Sequence, residues 1–114
     1  MHLIKAFKYA FAGIKEAFRD EKNMKVHLIL AAIAIVAGYF LQLSSIEWAI
    51  LVLTIGFVFA MEFMNTAVEA IVDLITPEIK EKAKLAKDVA AAGVLVSAIV
   101  SVLVAVFIFL PKII

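Results

Sequence analysis

The chain has 114 residues, of which 66% are hydrophobic and only 18% charged, with a formal net charge of +1 at pH 7. So much apolar material cannot be hidden inside so short a water-soluble globule, and its hydrophobicity excludes a disordered chain. The charge balance excludes electrostatic nucleic-acid binding, the absence of cysteine excludes disulfide and thiolate chemistry, and His2 and His27 are too few for a histidine metal site.

The length allows one domain, 1–114, and leaves no room for a separate nucleotide-binding domain, so any chemistry takes place on the membrane bundle itself. In chain order, Leu3, Phe7, Phe11, Ile14 and Phe18 recur at steps of three and four, with Lys5, Lys8, Lys15 and Glu16 mostly off that stripe. This pattern predicts an amphipathic helix over about 2–20, lying in the membrane interface with its lysines near anionic headgroups. Its charges interrupt any leader-like apolar run, so no cleavable signal is expected here.

An uncharged apolar segment follows over 26–43 and predicts the first transmembrane helix. Ser44 and Glu47 have capping-box spacing and predict a second helix, 46–75, after a short turn. Tyr39, Phe40 and Trp48 suit an interfacial aromatic belt at that turn. Thr76 and Pro77 predict an N-cap with proline at the first position of a new helical turn. The third span is predicted over 86–110, with Pro111 as its stop. Basic residues cluster before the first span and, as Lys80, Lys82, Lys84 and Lys87, between the second and third. The positive-inside rule therefore puts those two regions in the cytoplasm, and the first turn and C-terminus outside.

The second span carries a stripe that an inert helix would not have. At about 100° per residue, Glu62, Asn65, Glu69 and Asp73 fall within an arc of about 80°, with Glu62 and Glu69 about 10 Å apart along the axis. Unpaired carboxylates at membrane depth cost several kcal/mol each, so the stripe calls for cations, water or a substrate group. Three readings follow: lysine-paired glue between helices, a proton or cation pathway, or a divalent-metal site beside a cytosolic reactant. Two charge clusters share the level, Arg19 to Asn23 and Lys84 to Asp88. Neither a G-x-x-x-x-G-K-[ST] nor a G-x-G-x-x-G pattern occurs, so phosphate recognition here does not use a glycine cradle.

The segment Glu62 to Asp73, EFMNTAVEAIVD, resembles the E-x-x-N-[ST]-A-[IV]-E-x-x-[VI]-D signature of the small bacterial integral-membrane lipid kinases, the prokaryotic diacylglycerol kinase family. Ala86-Lys87-Asp88 before the last span and the charged approach to the first span ending at Glu21 resemble the same family. Lys25-Val26-His27, Glu47-Trp48, Val72 to Thr76, Ala90 to Ala92 and Phe109 to Lys112 are more similar to the Gram-positive branch, whose members phosphorylate undecaprenol. The resemblance implies an all-α membrane homotrimer that uses ATP and Mg²⁺ at the cytoplasmic side of the cell membrane. It implies Glu62 as catalytic base, Glu21 and Glu69 as metal ligands, and Asn65 and Asp73 as support. Tyr9, Lys87 and Asp88 would meet the nucleotide, with His2 standing where the family often has arginine. The lipid alcohol would enter near Gly13, Ala17 and Phe18.

The residues themselves add to this. Glu62 sits deeper than Glu69, where it can meet a hydroxyl arriving from the bilayer, and Lys87 supplies a fixed cation for phosphates. Small residues in the third span, Ala90 to Gly93, Ser97, Ala98 and Ser101, allow close helix approach, as do Gly56 and Ala31-Ala32, and point to an oligomer. Diacylglycerol remains the alternative acceptor, and a small proton-coupled transporter the alternative of a different class.

Overall fold

The structure is a computed structural model that describes residues 2–76, 78 and 80–114. Its regular elements are four helices: α1, Leu3–Asp20; α2, Lys22–Phe40; α3, Ser45–Ile75; and α4, Glu81–Ile113. No strand occurs among the described residues. The last three are each long and apolar enough to cross a membrane.

Only Glu21 separates α1 from α2. It adopts an extended backbone (φ −111°, ψ 117°) and closes α1 by donating its N–H to Ala17 O at 3.0 Å. It also holds the N-cap position of α2, but its side chain caps nothing. N-cap positions favour the short side chains of Asn, Asp and Ser.

The turn between α2 and α3 is built from backbone bonds. Gln42 takes the left-handed conformation (φ 58°), its N–H reaches Tyr39 O at 3.3 Å, and Leu43 N–H reaches Gly38 O at 3.2 Å. This is the paired closure of a Schellman motif, with glutamine where glycine is usual. Leu43 and Trp48 fold back over Gly38 so closely that a Cβ there would lie 2.8 Å from Leu43 Cδ1 and 2.9 Å from Trp48 Cη2. Ser44 then opens α3 with both halves of the capping box: Glu47 N–H donates to Ser44 Oγ, and Ser44 N–H to Glu47 Oε1.

Two boundary expectations are corrected. Thr76 is the C-cap of α3, its N–H bonded to Val72 O at 2.9 Å, and α4 starts at Glu81 with Lys80 as its N-cap. Thr76 Oγ1 accepts the Glu78 N–H at 3.2 Å, which turns the chain without starting a helix; Pro77 lies outside the described residues. Pro111 does not stop α4, which continues to Ile113. So close to the helix end, proline forfeits a single intrahelical bond, and Ile114 N–H still reaches Leu110 O at 3.2 Å.

α4 lies antiparallel along α3 for most of its length, while α1 and α2 touch α3 more sparsely. The core of Leu43, Leu51 and Ile108, flanked by Trp48 and Phe109, sits at the end of the bundle away from the acidic stripe. Lys112 Nζ meets Glu47 Oε1 at 3.1 Å there and ties the end of α4 to the start of α3. Within the spans, Thr54, Ser97 and Ser101 hydroxyls donate to backbone carbonyls three or four residues back, so none is left unpaired in apolar surroundings. Small residues Ala90, Gly93, Ser97, Ala98 and Ser101 lie at least partly inward on α4, whereas Ala91 and Ala92 are exposed.

The turn generates two changes of opposite sign, two residues apart. Gln42→Gly should stabilise the fold by about 0.5–1 kcal/mol, because glycine takes the left-handed conformation without steric cost. Ser44→Ala should destabilise it by about 1 kcal/mol through loss of the cap. Reversible unfolding in mixed micelles measures both; a Gln42→Gly protein less stable than the parent contradicts the turn described.

Candidate functional site

α3 has 31 residues and is therefore about 46 Å long, against a hydrocarbon core of about 30 Å. Measured from its start at Ser45, the first twenty residues use up that thickness near Asn65. The acidic stripe thus begins inside the apolar layer and runs out of it. Burial follows this gradient: Glu62 is 2% exposed, Asn65 and Glu69 are half-buried, and Asp73 is exposed. Counting back from the far end of α4 reaches the same depth near Gly93, and there a Cβ would run into the Met61 methyl. This close approach seats α4 against α3 beside Glu62.

The stripe is linked along its length. Asn65 Nδ2 donates to Glu69 Oε1 at 3.3 Å, while Asn65 Oδ1 is buried with no partner among the described residues. Thr66 Oγ1 donates to the Glu62 carbonyl oxygen at 3.0 Å. Glu62 and Glu69 have no lysine or arginine partner among the described residues. Glue by lysine holds only at the exposed end, where Lys87 Nζ meets Asp73 Oδ1 at 2.7 Å.

The hinge brings Glu21 to the same corner. Burial raises its carboxyl above the ordinary carboxylate range, and the negative charges of Glu69, Glu62 and Asp20 raise it further. Three acids from two separate stretches of chain therefore feel one another, and Lys87 on α4 lies within electrostatic reach of Glu69. The donor set is all oxygen, which suits a hard cation. Among the described residues no three such side chains close on a metal by themselves. Two carboxylates would leave most of a coordination shell to water or to a substrate's phosphates, which is how Mg²⁺ is usually held.

Glu21, Glu62, Asn65, Glu69, Lys87 and Asp73 thus form one connected group. The other expected residues stand apart from it. Asp88 is exposed and bonded to Lys84 within α4 at 2.7 Å. Tyr9 is 64% exposed on α1, about 18 Å along the chain axis from Glu21. His2 is the N-cap of α1 and its side chain makes no cap bond. Of the residues expected to admit lipid, Gly13 faces open space. Ala17 is buried, and Phe18 packs against Phe59 and Phe63 with centroids 5.9 and 6.5 Å apart.

Two features were not anticipated from the sequence. His27 Nε2 lies 2.9 Å from Glu62 Oε1, joining α2 to α3 at the deepest acid. The available signal was a lone histidine in a run without formal charge, which a count of formal charges passes over. A cavity of about 250 Å³ lies between α2, α3 and α4, lined by His27 and Phe59 and extending past Thr54 and Ser101 to Phe109.

The raised carboxyl predicts a pH dependence. A folded-state value above the unfolded one means that the folded protein binds the extra proton, so stability falls as pH rises from the ordinary carboxylate range through Glu21's raised value. In chelator-treated protein, Glu21→Gln should remove that fall and raise the thermal midpoint at neutral pH. A midpoint lowered by Glu21→Gln at neutral pH contradicts the crowding of acids described.

A family model described as prokaryotic diacylglycerol kinase matches residues 8–109. The undecaprenol kinase of Bacillus subtilis (strain 168) is 44% identical over 108 residues, covering 95% of this chain and 88% of that protein. The diacylglycerol kinase of a Synechocystis species is 40% identical over 111 residues, and the chain spans 63% of that longer protein. The diacylglycerol kinase of Escherichia coli (strain K12) is 32% identical over 101 residues, covering 89% of this chain and 83% of that protein.

Proposed function

The chain belongs to the prokaryotic diacylglycerol kinase family and is a multi-pass membrane lipid kinase that takes its phosphate from ATP, and from that premise we propose that its acceptor is undecaprenol, phosphorylated at the cytoplasmic side of the cell membrane. The observation that carries the assignment of the site is the burial of Glu62 at the inner end of a span, on one helix face with Glu69 and beside Glu21.

In this reading Glu62 is the base. The acceptor's O–H bond breaks and its proton passes to the Glu62 carboxylate. The acceptor oxygen forms a bond to the γ-phosphorus, the bond from that phosphorus to the β,γ-bridging oxygen breaks, and ADP leaves with the electron pair. Glu21 and Glu69 would be the metal ligands, with Asn65 as support: its Nδ2 donates to Glu69 Oε1, and its Oδ1 is buried with no partner among the described residues. Mg²⁺ at those carboxylates would supply positive charge for the phosphate oxygens. Lys87 adds a cation once nucleotide phosphates compete with Asp73 for it. Asp73 in turn holds Lys87; Tyr9 and Asp88 would contact the nucleotide. The lipid arrives from the bilayer past Gly13, Ala17 and Phe18, and the bilayer restricts where its hydroxyl can be.

Two further parts of the reading concern assembly. Leu3, Phe7, Phe11 and Ile14 of α1 are exposed, and with Lys5, Lys8 and Lys15 nearby they support a helix lying in the membrane interface. Ala91 and Ala92, small and exposed on α4, leave room for the close approach of a second copy, and a homotrimer is the assembly that the family resemblance implies. Diacylglycerol is the second reading, favoured by the names of the 40% and 32% identical relatives. Undecaprenol is preferred on the 44% identical relative.

Purified protein in lipid vesicles, given labelled ATP with undecaprenol and dioleoylglycerol in competition, tests the acceptor. A kcat/KM at least about tenfold higher for undecaprenol is expected, a difference of about 1.4 kcal/mol in the barrier; a preference for dioleoylglycerol overturns the choice. Glu62→Gln should lower kcat by at least about 100-fold while the protein stays folded. An active Glu62→Gln enzyme removes the base assignment.

A further inference from the structure

Glu62 is almost completely buried, and the side chain that meets its carboxylate is neither lysine nor arginine but His27, with Nε2 2.9 Å from Oε1. The histidine side chain is itself 18% exposed. Phe59 stands edge-on to the imidazole, centroids 6.4 Å apart, and belongs to the ring cluster with Phe18 and Phe63. As a base Glu62 has to be a carboxylate, which offers only acceptors, so in that reading the proton on Nε2 faces Oε1 and the imidazole donates. The other charged groups that act on this corner, Glu21 from the hinge and Glu69 from α3, are themselves acceptors and cannot take its place. From α1 the corner receives Phe18, and on α4 Gly93 faces Met61, the neighbour of Glu62. His27 also lines the cavity between α2, α3 and α4, whereas Glu62 does not.

We propose that His27 is the positioning residue of the phosphoryl transfer: by donating to Oε1 it fixes the rotation of the Glu62 carboxylate and leaves Oε2 for the acceptor hydroxyl. The inference rests on the reading of Glu62 as base. A glutamate reaches its carboxylate through three rotatable bonds, and the rings around it offer no other polar hold. Without the imidazole the charged form loses its compensation in apolar surroundings, and the reacting oxygen loses its fixed place. Anchoring on α2 makes the base part of a two-helix corner, so its position is set by packing as well as by its own rotamer.

Three substitutions test this in the full chain, purified into lipid vesicles and assayed with ATP and with undecaprenol or dioleoylglycerol as acceptor. His27→Phe keeps a ring against Phe59 and removes the donor. It should lower kcat about 10- to 100-fold with the KM for ATP within about twofold of the parent. His27→Gln, whose amide N–H has similar reach, should recover most of that loss. A His27→Phe enzyme with parental kcat overturns the proposal, as does a His27→Gln enzyme no better than His27→Phe at an unchanged thermal midpoint. Should the phenylalanine variant fail to fold, His27→Ala assayed with added imidazole replaces it: recovery of kcat supports the role, and no recovery overturns it. Glu62→Gln assayed alongside separates the two claims. An active Glu62→Gln enzyme defeats the base reading, whereas an inactive one beside an unaffected His27→Phe defeats only the role of His27.

Discussion

Ionised carboxylates are expensive in hydrocarbon, and the arrangement of this chain is organised around carrying several of them on one helix. Their cost is graded along α3. Asp73, at the exposed end, has a lysine; Glu69, half-buried, has an amide donor; Glu62, nearly sealed off, has a histidine. At the deepest acid the partner is neither lysine nor arginine, in keeping with the cost of burying a full ion pair there. Glu21 is not compensated in this way: burial raises its carboxyl, and the negative charges of Glu69 and Glu62 raise it further. In the proposed reading, that crowding is what a bound cation would relieve.

Three structural choices create that place. α3 is longer than a bilayer is thick, so a single helix reaches from the apolar layer to the cytosolic level in the proposed orientation. The α1–α2 junction is one residue long and is itself an acid whose side chain is not spent on capping. α4 approaches α3 closely at Gly93 and then carries Lys87 up beside Glu69 and Asp73. The opposite end of the bundle does the holding: the Schellman turn, the capping box, the core around Leu51 and the tie between Glu47 and Lys112. In the proposed reading, stability and chemistry are thus separated along the membrane normal.

Much of this is legible in the residues because the membrane simplifies the problem. Apolar runs without charge admit little but helix, and the Ser44–Glu47 box marks the start of α3 to within one residue. The acidic face of α3 follows from helical periodicity alone. Less legible are features that depend on two stretches of chain meeting. Thr76 reads equally well as an N-cap or a C-cap until the backbone is seen, and proline close to a helix end is tolerated where interior proline is not. His27 carries no pattern of its own, since its meaning lies in facing Glu62, 35 residues away. Tyr9, Asp88 and His2 were named by resemblance, and a single chain gives them no contact with the acidic group. Partner subunits and bound nucleotide are where such contacts would arise in the proposed assembly.

The most direct test of the central claim substitutes Mn²⁺ for Mg²⁺ and looks at what surrounds it. With ATP bound to the protein in vesicles, pulsed paramagnetic resonance should detect phosphorus couplings from the nucleotide at a protein-held ion, and the signal should be lost in both Glu21→Gln and Glu69→Gln. Retention of the same ion environment in both variants would mean that these acids do not hold the metal, and the account of why they are gathered at the inner end of α3 would be wrong.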